Sequence, residues 1–150
     1  MFMKSQQKVI DDSINKLMES IDTPIETIPG IKKNIGSQII AEIGDINNFS
    51  NPKQLVAYAG LDPKIIQSGN YELQNGRINK KGSKYLRKAL FQAAQCLCRH
   101  DEYFSNRYAL LKSKGKHHFV CINAIARKLL HIIWAMETRK IPYDPAFLQN

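Results

Sequence analysis

The chain has 150 residues, 43% of them hydrophobic, and its 22 Lys and Arg exceed its 13 Asp and Glu to give a net charge of +9. This length and apolar content are typical of one globular domain that buries a substantial core. Because no apolar run approaches the roughly 18 residues of a spanning helix and the N-terminus soon becomes polar, we expect a cytoplasmic protein without a membrane segment or signal peptide.

Two amphipathic helices are predicted in the first third of the chain. Apolar residues recur at steps of three and four over residues 5–21 and again over 31–43, which is the period of a helix. Two prolines in the segment DTPIETIPG separate these helices. A third, short helix follows, with Asn51 as its N-cap, Pro52 at its first position and Gly60 at its end.

Residues 61–82 form the irregular centre of the chain, which contains one proline and three glycines. The β-prone stretches on either side of Gly69 allow one small β-hairpin. Ser83 then caps a long helix, and two further helical patterns cover residues 101–113 and 118–138. The predicted fold class is therefore mainly α, a compact helical domain with five or six helices.

Residues 27–44, TIPGIKKNIGSQIIAEIG, have the pattern of a helix-hairpin-helix, in which a Pro-Gly turn precedes an amphipathic helix. In such a motif the backbone N–H groups at the start of the second helix point outward and suit a phosphate. An ordinary pair of helices fits the same pattern. The residues expected to contact a nucleic-acid backbone here are Gly30, Ile31, Lys32 and Lys33.

The positive charge is concentrated in the C-terminal part of the chain. Residues 1–62 carry a net charge of −2, whereas residues 63–150 carry +11, and no acid lies between Glu72 and Asp101. A face without counter-charges repels itself unless a polyanion binds, so we favour a nucleic-acid partner over an ordinary solvated surface. The basic residues predicted to bind it are Arg77, Lys80, Lys81, Lys84, Arg87 and Lys88.

Ser68 and Gly69 stand just ahead of this basic run. A Ser-Gly pair is most often a turn. The alternative is a nucleophile, because a serine hydroxyl attacks a phosphodiester when positive groups stabilise the charge that develops. The residue types alone leave both interpretations open.

Metal and thiol chemistry are not indicated by the sequence. The acids are scattered and the histidines are adjacent or isolated, so we predict no metal site and no cofactor in this chain. Cys96, Cys98 and Cys121 are expected to be reduced, small buried hydrophobes rather than a disulfide framework.

Several sequence blocks follow one another in a fixed order: the Pro-Gly hairpin, AEIGDINNF, LVAYAGLDP, QSG, INKKGSKYLRKAL, AIARKLLHIIWAM and PYDP. In this order they resemble the C-terminal domain of the insertion-sequence transposases that recombine DNA under the guidance of a bridge RNA. Each block alone is weakly specific, whereas the ordered set is strongly so. The resemblance divides the chain into an N-terminal linker helix (1–25), a transposase C-terminal domain (26–145) and a tail (146–150).

The resemblance implies a function in DNA transposition and recombination. In that family the serine before a glycine is a nucleophile that forms a covalent phosphoserine link with DNA, and this role falls on Ser68. The hairpin around Gly30, together with Gly69 and the run from Arg77 to Lys88, would hold DNA or guide RNA. Strand exchange also implies a homo-oligomer of the full enzyme.

The chain departs from the family pattern at its N-terminus. Full-length members carry an RNase H-like domain there, whose four acids bind Mg²⁺ and act together with the serine. Residues 1–25 hold only Asp11, Asp12, Glu19 and Asp22, on one predicted helix. We therefore expect a domain cut from a longer transposase, or a truncated remnant, that does not cut DNA alone. The open alternative is a module that binds DNA or RNA without chemistry.

Overall fold

The computed structural model describes residues 1–68, 71–78 and 82–149, and for residues 64–68 and 71–78 the description covers the backbone only. Six α-helices and one two-stranded sheet form within these residues, which confirms the mainly helical class and the small hairpin. In chain order the elements are α1 (Phe2–Ser20), α2 (Lys33–Ile43), α3 (Pro52–Ala59), β1 (Pro63–Ser68), β2 (Tyr71–Ile78), α4 (Lys84–His100), α5 (Glu102–Ser113) and α6 (His118–Arg139). Short 3₁₀ turns lie at Ile25–Thr27, Ile46–Asn48 and Pro145–Gln149.

The starts of α3 and α4 follow from capping residues that the sequence already indicates. Asn51 Oδ1 accepts a hydrogen bond from the Gln54 N–H at 3.1 Å, and Pro52 occupies the first helical position of α3. Ser83 Oγ accepts one from the Leu86 N–H at 3.2 Å, so the predicted cap of α4 is confirmed. Side-chain oxygens thus satisfy backbone donors that each helix leaves without an intrahelical partner.

The core is built around α6, which packs against α3, α4 and α5, while α4 also packs against α2. The largest fully buried side chains are Phe104, Ile25, Ile28, Ile31, Ile39, Leu55, Leu61, Leu86, Leu90, Leu97, Ile122 and Ile125. Among the described helices, α6 alone has the length and apolar composition of a membrane span, and half of that stretch is buried inside the domain. Its burial against three helices is the environment of a core helix.

The end of α6 is tied to the connection between α1 and α2. Thr23 Oγ1 donates a hydrogen bond to the carboxylate of Glu137, 114 residues away in sequence. Glu137 is only 5% exposed, and its other oxygen lies 3.4 Å from Lys140 Nζ, which also donates to the Asp22 carbonyl at 2.8 Å. A carboxylate is tolerated at this depth because both of its oxygens have partners.

The predicted helix-hairpin-helix has a shorter first arm than its sequence pattern suggests. A single 3₁₀ turn, Ile25–Thr27, precedes the hairpin in place of an α-helix, and α1 has already ended at Ser20. Pro24 begins this turn, and Pro29 forces the residue before it into an extended conformation, so the two prolines leave room for one turn only. The second arm is α2, as predicted.

The hairpin leaves the helical body through a narrow stem, which we define as residues 58–62 and 82–83. Across it, the Ser83 N–H donates a hydrogen bond to the Tyr58 carbonyl at 2.7 Å. A Cβ atom on Gly82 would lie 2.1 Å from that carbonyl oxygen. Because two backbone segments touch here, glycine is the only residue that fits without opening the stem.

α1 is the least buried of the described helices, and Met18 is its one buried residue. It packs against α2, where Glu19 Oε1 lies 3.7 Å from Lys33 Nζ. At the other end of the chain, the turn Pro145–Gln149 packs against the core through the partly buried side chains of Phe147 and Leu148. The division into linker helix, domain and tail stays a prediction.

We expect Gly82→Ala to lower the free energy of unfolding by about 3 kcal/mol, because backbone atoms occupy the space of the new Cβ and cannot rotate away. Gly115→Ala is the matched control, since its surroundings are open and only its left-handed conformation, with φ of +77°, is strained. The control should lose about 1 kcal/mol. Urea denaturation measures both values, and equal losses would contradict the close approach at the stem.

Candidate nucleic-acid interface

Ser68 stands at the tip of the hairpin. It is the last residue of β1 and lies opposite Tyr71, the first residue of β2. With a rise of about 3.3 Å per strand residue, it lies roughly 16 Å beyond Pro63, where the strand begins. The side chain of Ser68 and all of Gly69 fall outside the described residues, so their roles stay predictions.

Two arginines clamp the chain where it enters the hairpin. Arg87 on α4 donates from Nη1 to the Ala59 carbonyl at 3.3 Å, and Arg127 on α6 donates from Nη1 to the Leu61 carbonyl at 3.1 Å. Burial lowers the pKa of Arg127, and the negative charge of Asp62 acts in the opposite direction. Charge-assisted bonds are stronger than neutral ones, so both carbonyls are firmly held. Arg87, predicted to bind nucleic acid, therefore has a structural role as well.

Glu42, near the end of α2, braces both sides of the stem. Its backbone carbonyl accepts a hydrogen bond from Tyr58 Oη, and its carboxylate accepts one from Ser83 Oγ, each at 3.2 Å. Contacts from α2, α4 and α6 thus converge on the seven stem residues. The base of the hairpin is fixed relative to the start of α4 as a result.

The first turns of α4 present a positively charged surface next to the stem. Lys84, Tyr85 and Lys88 are exposed, and Lys84 Nζ lies 5.1 Å from the centre of the Tyr85 ring. The first turn of α4 contains no acid, and cations there oppose the positive end of the helix dipole. A bound polyanion would relieve both sources of repulsion. Outside the described residues lie Lys80, Lys81 and the side chain of Arg77, whose roles stay predictions.

The predicted phosphate site at the start of α2 is only partly accessible. Lys32 is exposed and provides no side-chain cap, so the first backbone N–H groups of α2 are not capped by that residue. Lys33 is paired with Glu19, which offsets part of its charge. Ile31 is 2% exposed, and its N–H donates to the Ile28 carbonyl at 3.1 Å. Ile31 is therefore a core residue that supports the turn and not a contact for a ligand.

The two predicted binding regions lie at opposite ends of α4. A Cβ atom on Gly30 would come within 3.0 Å of His100 Nδ1 and 3.1 Å of the Cys96 carbonyl, so the hairpin turn packs against the C-terminal end of α4. Lys84 marks the other end, and a helix of 17 residues is about 25 Å long. A ligand that contacts both regions has to extend along this helix.

Two further lysines, which the sequence analysis missed, lie beside His131 on α3 and α6. Burial lowers the pKa of His131, and the positive charges of Lys128 and Lys53 lower it further, so the three groups are close together. The sequence signal is the lack of any acid between Glu102 and Glu137, a stretch with six Lys and Arg.

Cys98 and the described acids offer little chemistry of their own. Burial raises the pKa of Cys98 to about 11, with a further contribution from Cys121, so the Cys98 thiol stays protonated at neutral pH. Cys121 is buried as predicted, while Cys96 and Cys98 are partly buried. No group of three or more His, Cys, Asp or Glu in the described part of the chain is arranged to hold a metal ion.

The chain matches the family described as "Transposase IS116/IS110/IS902 family" over residues 22–109. It is 35% identical, over 124 residues, to the transposase for insertion sequence element IS1111A of Coxiella burnetii, a match that covers 79% of this chain and 33% of the relative. It is 37% identical, over 122 residues, to the pilin gene-inverting protein of Moraxella bovis, covering 80% of this chain and 38% of the relative. The chain thus spans about a third of the length of these relatives.

We expect Arg87→Ala to lower the free energy of unfolding by about 1 kcal/mol, because it removes a hydrogen bond to the stem. Lys88→Ala changes the next residue, which is exposed, and should alter stability by less than about 0.5 kcal/mol. Urea denaturation at pH 7 compares the two variants. If Arg87→Ala is as stable as Lys88→Ala, the clamp on Ala59 contributes nothing to the fold.

Proposed function

This chain belongs to the Transposase IS116/IS110/IS902 family, and from that premise we propose that it is the DNA-binding, serine-bearing part of an enzyme that transposes or inverts DNA. One observation carries the proposal: the stem joins a hairpin tipped by Ser68 to the acid-free, basic start of α4. Transfer of a phosphodiester needs a nucleophile and cations together, because the nucleophile attacks phosphorus while the cations stabilise the charge on its oxygens. The names of the two relatives, a transposase and a gene-inverting protein, support the same class of reaction.

In the proposed reaction the Ser68 hydroxyl attacks the scissile phosphorus. A new ester bond forms between phosphorus and Oγ while the bond from phosphorus to one sugar oxygen breaks. The serine proton passes to solvent, and the departing sugar oxygen takes up a proton. A sugar hydroxyl of a second strand then reverses the step and releases the serine, so each phosphodiester is exchanged for another without net hydrolysis.

We propose that Mg²⁺ and the acids that bind it belong to another part of the complete transposase, because no group of acids among the described residues fits the ion. Asp11 and Asp12 are adjacent on α1 and point to different sides of it, while Glu19 lies two turns away and pairs with Lys33. Mg²⁺ requires oxygen ligands that converge at about 2.1 Å. The 150-residue chain alone is therefore proposed to bind DNA without cleaving it.

The remaining partners are also proposals. We expect the basic regions at the two ends of α4 to contact phosphates and not base edges, so they suit a guide RNA as well as a DNA duplex. Strand exchange between two duplexes requires more than one serine, which supports a homo-oligomer of the complete enzyme acting in the cytoplasm. A second candidate function is a module that binds nucleic acid through the exposed Lys84 and Lys88 without chemistry of its own.

We expect Ser68→Ala to abolish recombination by the complete transposase while DNA affinity changes by less than about twofold, because only the nucleophile is removed. Ser105→Ala, an exposed serine on α5, is the matched control and should recombine normally. The readout is the covalent protein–DNA adduct, separated under denaturing conditions. An adduct that still forms with the alanine variant would assign the nucleophile to another residue.

We expect the affinity of the 150-residue chain for duplex DNA to fall with salt, by about 0.9 log units per phosphate contact for each tenfold increase in concentration. The double variant Lys84→Ala/Lys88→Ala loses two such contacts. It should therefore reduce the magnitude of the slope of log affinity against log salt concentration by about 1.8. Lys8→Ala, an exposed lysine on α1, serves as control and should leave it unchanged. Binding that does not respond to salt would contradict the proposed contact with phosphates.

A further inference from the structure

Five ring side chains from α4, α5 and the start of α6 meet at one place on the surface: Phe91, Tyr108, His117, His118 and Phe119. Phe119 stands at their centre. Its ring lies 5.4 Å from that of His117, nearly parallel at 21°, and 5.5 Å from that of Phe91 at 33°. These separations are those of favourable aromatic contacts.

Phe119 is nevertheless 55% exposed to solvent, although hydrogen bonds hold His117, His118 and Tyr108 in place around it. Its own backbone N–H donates to His117 Nδ1 at 3.2 Å, so this hydrogen bond ties the His117 ring to the start of α6. On the other side, Tyr108 Oη and His118 Nδ1 are 2.8 Å apart. The cluster therefore presents an ordered aromatic face, preorganised before any ligand arrives.

The surroundings of this cluster are positively charged. The short connection from α5 to α6 contributes two exposed lysines, Lys114 and Lys116, and Lys112 lies in the last turn of α5. No acid occurs between residues 102 and 137. On α4, Lys88 precedes Phe91 by three residues and shares its side of the helix, so the basic surface at the start of α4 continues into the aromatic cluster.

We infer that this aromatic cluster binds unpaired nucleobases of a single-stranded nucleic acid, with Phe119 as the stacking surface and the neighbouring lysines on the phosphates. The combination of an exposed ring with cations and without acids is the chemistry of single-strand binding, because every base has a flat face and every link carries a charge. Bases in a duplex are already stacked on one another and cannot cover the ring. The inference rests on the proposed nucleic-acid function and adds a site that is separate from the Ser68 hairpin.

The test uses the 150-residue chain and four fluorescent 12-nucleotide probes: oligo-dT, oligo-rU, an oligo-dT whose central positions lack bases, and a duplex. The unchanged chain will bind one of the two intact single strands, oligo-dT or oligo-rU, more tightly than the other. Phe119→Ala should weaken binding of that strand by about tenfold or more, the effect of one lost stacking contact. It should change affinity for the duplex and for the abasic probe by less than about twofold. Comparison of oligo-dT with oligo-rU distinguishes DNA from RNA as the bound strand.

Leu110→Ala is the matched control, because Leu110 is an apolar residue of α5 that is 53% exposed and lies outside the cluster. Phe119→Trp should retain single-strand affinity, and circular dichroism of each variant checks the fold. The inference is overturned if Phe119→Ala binds both single strands as the unchanged chain does, or if it loses duplex and single-strand affinity equally. Failure of the unchanged chain to bind any probe would instead overturn the proposed function itself.

Discussion

Two backbone segments touch at the hairpin stem, and the position of the proposed nucleophile depends on that contact. The Ser83 N–H reaches the Tyr58 carbonyl directly, which leaves no room for a side chain at residue 82. The end of α3 and the start of α4 are thereby joined, and each is anchored by fully buried leucines in the core. A serine at the tip of a hairpin is thus located by packing that occurs well away from it.

Charge is distributed in this molecule in a way that the fold does not require. The hydrophobic core accounts for the helices, whereas acids are absent from the first turn of α4 and from the whole stretch between Glu102 and Glu137. Self-repulsion of this kind lowers the stability of a compact chain. Its presence on surfaces that also carry exposed Tyr85 and Phe119 is consistent with a polyanionic ligand that contacts the protein at several points.

Local features of the sequence predicted much of the fold, because helix caps and periods depend on neighbouring residues. Asn51 and Ser83 begin their helices as expected, since each side chain bonds to a backbone N–H three residues on. The first arm of the hairpin motif is a single turn, because the two prolines that separate the predicted helices leave room for no more.

The candidate site was less predictable, since its contacts join distant parts of the chain. Nothing near Arg87 in the sequence indicates that it bonds to Ala59, 28 residues earlier. The contact between Phe91 and Phe119 also depends on how α4 and α6 meet. Likewise, Ile31 lies in a binding motif by its pattern, yet the tertiary fold places it in the core.

The link between Thr23 and Glu137 has a consequence for how the protein is made. Ile25, on the turn that contacts α6, is fully buried in the finished domain, but its partner helix is translated more than 90 residues later. The ribosome therefore releases the N-terminal half before α6, against which part of its apolar surface packs, has been made. A polypeptide that stops short of Glu137 would leave the apolar surface around Ile25 partly exposed. Its abundance in the cell would then depend on chaperones and proteases.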